Sequence, residues 1–230
     1  MTSSNCENEE IAKAMKRQMN AEYVKEYIKE PLEEMITPSE KEGTLRRISD
    51  DLIMLSVFPY IDLLGYLYKG RSSSINAVEF MREYLGRVDN RYQEVSGLIY
   101  DALRHGYIHL ATPKRVKLQD GKVLDFLFIR SGQREECFKV TKRQEPQRTG
   151  VRVDIYRLSL DLPLLYKDLL SAIDKYAEDI REKQELSDTF REALETRRKP
   201  EKSKEEELLN KPYIQQSDFD FVRAQISNCN

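Results

Sequence analysis

Apolar residues recur every three to four positions along much of the chain, and this spacing predicts a mainly helical protein. Four helices are expected in the first half, over residues 9–29, 44–70, 75–85 and 89–106. The first is charged and amphipathic, and its apolar residues near one face are Ile11, Met15, Met19, Tyr23, Tyr27 and Ile28. The second contains the most apolar run of the sequence, which predicts a core helix kinked at Pro59.

The period of the pattern changes after Pro113, where four short strands are expected. Val116 and Leu118, an Asp120–Gly121 turn and Val123–Ile129 predict a β-hairpin. Two further strands are predicted over residues 137–140 and 151–158, and the tight connections favour an antiparallel meander.

A long helix follows, opened by Asp161 and Pro163 and interrupted by a polar break at residues 182–185. The expected fold is therefore mainly α, a helical bundle with a small antiparallel β-meander inserted before a long C-terminal helix. Residues 1–43 are predicted to form an N-terminal amphipathic helix and linker. Residues 44–198 form the bundle domain with its β-insertion at 114–160, and residues 199–230 form a charged, flexible tail.

Composition narrows the class of protein. The net charge of the chain is -2, which gives no general argument for nucleic-acid binding. The segment from Lys114 to Arg157 is nevertheless basic, because it contains twelve basic and six acidic residues. This basic segment could favour a phosphate-bearing partner, or its long side chains could simply face water on the outer side of the predicted sheet. Three scattered cysteines suit a reducing cytoplasm, and the longest apolar run is about a turn too short to span a bilayer. A cytoplasmic protein without a membrane segment is expected.

The chemically suggestive segment is RHGYIH, Arg104–His109, which holds both histidines of the chain. If the helix continues through Gly106, residues Asp101, His105 and His109 share one face, and carboxylate and imidazole are ordinary metal ligands. No closing ligand cluster is evident, so no metal or other cofactor is expected. Sequence motifs for nucleotide-binding loops, serine hydrolases and zinc proteases are absent. A purely structural role remains open, in which Arg104 pairs with a carboxylate and the histidines interact with the helix end.

The spacing Arg104-x4-His109 at the end of a core helix resembles the R-x4-6-H motif of the HEPN superfamily. The longer run LIYDALRHGYIHLATPK is also similar to uncharacterised bacterial proteins with R-x-G-x-x-H before a Pro-Lys pair. The order of helices and strands is similar from Leu45 to Ile180, whereas the sequence motif itself covers only about a dozen residues. It implies a HEPN-like helical bundle, a homodimer whose two motifs form one cleft, and metal-independent RNA cleavage.

On this resemblance Arg104 stabilises the phosphate, His109 is the general acid and base, and His105 assists. Lys114, Arg115 and Lys117 follow directly and could bind the RNA backbone. The predicted function is thus a metal-independent RNA endonuclease or toxin-like relative, with an antitoxin-like protein partner left open. The alternative is a non-catalytic interaction or ligand-sensing module with the same fold.

Overall fold

The structure is a computed structural model that describes residues 3–34, 46–106, 113–146 and 152–198, together with residues 210, 215–217, 219, 220 and 223. The side chains of residues 3–8, 46–53, 105, 146, 152–153 and 198 lie outside this description. The chain divides into two units, Met1–Leu194 and Glu195–Asn230. In the second unit, Asp220 accepts hydrogen bonds from Gln216 and Arg223.

Six helices are described. Helix α1 spans Ser3–Val24 and continues through a π turn at Lys25–Lys29 to residue 34, so Pro31 does not end it. The other helices are α2 (Arg46–Lys69), α3 (Ser74–Phe80, continued by a π turn at Met81–Leu85), α4 (Arg91–Ile99, continued by a π turn at Tyr100–His105), α5 (Leu162–Glu182) and α6 (Gln184–Arg198). The predicted mainly helical class is confirmed.

Local signals explain several helix ends. The Ser73 hydroxyl accepts a hydrogen bond from the amide of Ile75 and caps α3. Asp161 caps α5 in the same way, and Pro163 stands in the first turn of that helix, where a missing amide proton costs nothing. Lys183 ends α5, at the polar break that the sequence predicts.

The sheet contains four strands, and the prediction of an antiparallel meander is wrong. Strands β1 (Val116–Lys117), β2 (Val123–Ile129), β3 (Val140–Pro146) and β4 (Arg152–Asp161) are arranged in the order β1-β2-β4-β3. The β1–β2 hairpin is antiparallel, with Gly121 at a positive φ in its turn, but β4 lies between β2 and β3 and is parallel to β2.

The order differs because the segment between β2 and β3 does not turn back tightly. Residues 130–139 cross the end of β4, held there by Asp161, whose carboxylate accepts hydrogen bonds from the amides of Ser131 and Gly132. The gap that this crossing leaves beside β2 is filled by β4. Sheet topology thus depends on a contact between residues 30 positions apart, which no local pattern encodes.

One hydrophobic core joins the helices and one face of the sheet. Helix α5 contributes the longest apolar stripe, including Leu165, Leu169, Ile173 and Tyr176, all fully or nearly fully buried. Leu158 and Leu160 of β4 bring the sheet onto the same core. Among the described residues no helix is both long and apolar enough to cross a membrane.

Helices α2 and α3 approach each other unusually closely at Gly65. A Cβ atom at this position would lie 2.6 Å from the backbone nitrogen and Cα of Ala77. Only glycine permits this approach, because real Cβ atoms need roughly 3.5 Å or more from another carbon. The contact fixes α2 against α3 one turn from Asp62, a residue of the candidate site.

Candidate functional site

The candidate site lies where α4 passes into its π turn. This turn spans Tyr100–His105 and still holds Gly106 in helical conformation, so the helix does not end before the glycine. Wider turns in helices are often found at functional sites. The described chain has two others, at Lys25–Lys29 and Met81–Leu85, so the turn alone does not identify this site. The turn delivers Arg104 to the surface, as the sequence predicts, while Ala102 and Leu103 enter the core.

Arg104 is held by a carboxylate from α2. Its Nε donates a hydrogen bond to Asp62 Oδ2 at 3.2 Å, and the two side chains are 27% and 31% exposed. Among the described residues Asp62 is the ion-pair partner found for Arg104, and it engages Nε alone. The guanidinium is therefore fixed along one edge, while its two terminal nitrogens are not needed for this contact.

Tyr100 holds the other oxygen of the same carboxylate. Its hydroxyl donates to Asp62 Oδ1 at 2.5 Å, and the phenol ring is almost fully buried. Burial, followed by the Asp62 carboxylate, raises the pKa of Tyr100 to about 12, against an opposing hydrogen bond from Ser74. The phenol consequently stays protonated at neutral pH and acts as a permanent donor that orients Asp62 toward Arg104.

The chain returns to this turn after the histidine segment. The amide of Lys114 donates to the carbonyl of Ala102 at 2.9 Å, and Lys114 Nζ lies 3.5 Å from Asp101 Oδ2. Residues 107–112, which include His109, lie outside the described residues, as does the side chain of His105. Both described ends of that gap are nevertheless anchored at the turn that carries Arg104.

The residues predicted to bind an RNA backbone differ in their surroundings. Arg115 joins an alternating ring of charges, contacting Asp125 at 3.3 Å and Glu145 at 3.5 Å. Arg157 closes the ring on the same two carboxylates at 3.8 and 3.1 Å. Lys117 is exposed on β1, and no ion pair is found for it among the described residues. Lys117 is therefore the least neutralised of the three predicted residues.

Both imidazoles of the predicted Asp101, His105 and His109 face lie outside the described side chains. Within the described residues no group of three or more histidine, cysteine, aspartate or glutamate side chains could hold a metal ion. Cys137, the described cysteine, is buried, and this burial raises the pKa of its thiol.

A second charged cluster is present that sequence analysis does not identify. Asp168, buried on α5, accepts a bidentate pair from Arg134 at 2.6 and 2.5 Å and a hydrogen bond from Tyr92 at 2.9 Å. Asp89 is bound by Arg91, whose hydrogen bonds lower the pKa of Asp89 to about 2. These groups satisfy one another, and they link α4, α5 and the segment before β3 rather than line a cleft.

A cavity of about 390 Å³ opens between the helices on the side of α6. The charged side chains at this cavity also pair with one another, because Asp179 accepts hydrogen bonds from Arg87, Lys183 and Tyr84. None of its lining residues belongs to the segment predicted to be functional. The Arg104 turn is therefore the place where a partly exposed cation and the return of the chain at Lys114 lie together.

Comparison with protein-family models, with curated proteins and with solved structures finds no match to this chain.

Proposed function

We propose that this protein is a metal-independent RNA endonuclease in which Arg104 binds the scissile phosphate and His109 transfers the proton. The observation that carries the proposal is the way in which neighbouring side chains hold Arg104. Asp62 holds the guanidinium through Nε, and Tyr100 holds Asp62 in turn. A guanidinium fixed in this way presents its terminal nitrogens as a preorganised fork for two phosphate oxygens.

The described chain on either side of residues 107–112 lies at the Arg104 turn. Gly106 continues the helix that carries Arg104. The chain has returned to Ala102 by Lys114, so both ends of the histidine segment are beside Arg104. An imidazole is the side chain whose ordinary pKa suits proton transfer near neutral pH.

The proposed reaction is an internal transfer. His109 takes the proton of a ribose 2′-hydroxyl, whose oxygen attacks the adjacent phosphorus while the bond to the 5′-oxygen breaks. His109 then gives that proton to the 5′-oxygen, leaving a 2′,3′-cyclic phosphate and a 5′-hydroxyl. Arg104 stabilises the negative charge that develops on the phosphate, and Lys117 holds the neighbouring backbone through a charge contact.

Cleavage of structured RNA in the presence of EDTA tests the proposal. The wild type is expected to cleave, whereas Arg104→Ala and His109→Ala lose at least two orders of magnitude in rate, as is typical when a phosphate fork or a general base is removed. Arg191→Ala is the matched control, since Arg191 is a surface arginine with one carboxylate partner, Asp188. Equal activity of all three variants, or no cleavage by the wild type, contradicts the proposal.

A non-catalytic module is the second candidate, and one observation favours it. Asp62 neutralises Arg104 and ties α4 to α2, which is sufficient to explain a charge contact between two helices without any ligand. Under this reading Asp62→Asn lowers stability and changes no activity. Under the nuclease proposal it reduces cleavage while the folded protein persists, because the guanidinium loses its orienting partner.

A further inference from the structure

The cavity on the side of α6 has the size of a small-molecule site. Its volume of about 390 Å³ falls within the range of roughly 300–1,000 Å³ that is usual for ligand pockets. Four elements supply its walls: the end of α2, the π turn that continues α3, the end of α5 and the start of α6. The chemistry of the side chains on these walls indicates what the cavity could bind.

The two lysines that line the cavity are already neutralised by carboxylates. Lys183 Nζ lies 2.7 Å from Asp179 Oδ2. Lys69 Nζ lies 3.2 Å from Glu79 Oε2 and 4.3 Å from the centre of the Tyr68 ring. An anionic ligand would have to displace one of these carboxylates, so the lysines do not favour an anion at this cavity.

Two carboxylates at the cavity lack a cation. Glu83 lies on the π turn that continues α3 and Glu185 on the first turn of α6, and within the described chain no ion pair is found for either. Arg87 follows one turn after Glu83, but two of its guanidinium nitrogens donate to Asp179 at 2.9 and 3.2 Å. The charge that is not balanced at this cavity is therefore negative, which favours a cationic ligand.

The acidic side chains at the cavity do not converge on one point. In the part of the chain that the structure describes, Glu83, Asp179 and Glu185 do not form a group that could hold a metal ion. Glu83 and Glu185 instead belong to two different elements that meet at the cavity. Two positive charges joined by a flexible chain fit this distribution better than one compact ion, which needs several oxygens around a single centre.

The remaining walls suit methylene and ammonium groups. The Tyr68 ring and the Leu186 side chain offer apolar surface, and the contact between Tyr68 and the Lys69 ammonium shows that this ring accepts a cation. Tyr176 packs edge-on against Tyr68 and Tyr84, with ring centres 6.2 and 5.1 Å away. Its buried hydroxyl has no hydrogen-bond partner among the described residues. Burial, followed by the two neighbouring phenols, raises the pKa of Tyr176, so a neutral oxygen acceptor lies beside the tyrosines that line the cavity.

We propose that this cavity binds an aliphatic polyamine, with one ammonium group at Glu83, another at Glu185 and the hydrocarbon chain along Tyr68 and Leu186. Polyamines carry separated ammonium groups on a flexible chain, which matches two separated carboxylates with apolar surface between the charged groups. Once one end is bound, the other end contacts its carboxylate at a high effective concentration. The site is separate from the Arg104 turn and does not depend on RNA cleavage.

Isothermal titration calorimetry of the full chain with spermidine tests the site. The wild type is expected to bind spermidine, and Glu83→Gln and Glu185→Gln should each weaken binding at least about tenfold, since each removes a charged hydrogen-bond acceptor. Glu94→Gln is the matched control, because Glu94 is an exposed glutamate on α4 that does not line the cavity. No binding by the wild type, or the same loss in Glu94→Gln as in the other two variants, overturns the proposal.

Two further titrations test the position and the two-ended binding of the polyamine. Butylamine has one ammonium group and should bind at least about tenfold more weakly than putrescine, because it cannot contact both carboxylates. Thr189→Phe keeps both carboxylates but places a larger side chain in the cavity, so it should abolish spermidine binding while far-UV circular dichroism stays unchanged. Equal affinities for butylamine and putrescine, or wild-type binding of spermidine by folded Thr189→Phe, contradict the proposed site.

Discussion

Asp161 joins the crossing between β2 and β3 to the start of α5, and its removal offers a quantitative test. The side chain is fully buried. Its Oδ1 accepts the amide of Leu164 at 3.1 Å and so caps α5, while Oδ2 accepts the amide and hydroxyl of Ser131 and the amide of Gly132 at 2.8 to 2.9 Å. One residue thus begins core helix α5 and fixes the crossing between β2 and β3.

The expected cost of Asp161→Ala follows from these contacts. Loss of the N-cap costs about 1 kcal/mol. Hydrogen bonds to a charged acceptor contribute about 1.5–3 kcal/mol each, but Ser131 and Gly132 are exposed and can be rehydrated, which leaves about 2 kcal/mol for the loop. The free energy of unfolding should therefore fall by about 3 kcal/mol. Asp161→Ser retains an acceptor for the cap and should recover about 1 kcal/mol of this loss.

Urea unfolding followed by circular dichroism measures these differences. Asp154→Ala is the matched control, since Asp154 lies on the same strand, is exposed and pairs with Lys142 on the surface. Its free energy of unfolding should stay within about 0.5 kcal/mol of the wild type. If Asp161→Ala is no more destabilising than Asp154→Ala, the role assigned to Asp161 in joining the sheet to α5 is refuted.

Two further predictions concern packing and pH. Gly65→Ala should destabilise the protein by about 1–3 kcal/mol in thermal or urea unfolding, because its Cβ would meet the α3 backbone. Gly97→Ala should stabilise it by up to about 1 kcal/mol, since the nearest atom would lie at an ordinary 3.5 Å; the opposite order would contradict the packing described. The pKa of Asp89 is lowered from 3.8 to about 2, so its contribution of about 2 kcal/mol is present above pH 4 and is lost as the pH falls through 2. Asp89→Asn should flatten this acid transition, and an unchanged slope would show that Arg91 does not stabilise the carboxylate.

The elements were predictable where their signals are local. The Asp120–Gly121 turn, the Ser73 cap and the cap and first-turn proline of α5 depend on neighbouring residues, and each is found in the structure. The strand order was not predictable, because it depends on Asp161 holding a segment 30 residues away. The spacing of apolar residues and the turn residues indicate where strands lie, but they do not indicate which strands are neighbours in the sheet.

The candidate site was predictable only in part. The sequence places Arg104 in a core helix beside the two histidines, and the structure finds it in the π turn that continues α4, with its side chain 27% exposed. Asp62 and Tyr100 were not identified as its partners, although a carboxylate within a strongly apolar helix was a usable signal that a buried donor lay opposite. For α1, periodicity detects apolar positions but cannot separate those that meet the core from those that are exposed to water.

The nature of the RNA termini tests the central claim most directly. RNA incubated with the wild type in EDTA should be cut to a 2′,3′-cyclic phosphate and a 5′-hydroxyl, and a single 2′-deoxy nucleotide at the cut position should block cleavage there. His109→Ala should form neither end. Cleavage that still occurs at the 2′-deoxy nucleotide, or that leaves a 5′-phosphate, would contradict the roles assigned to Arg104 and His109.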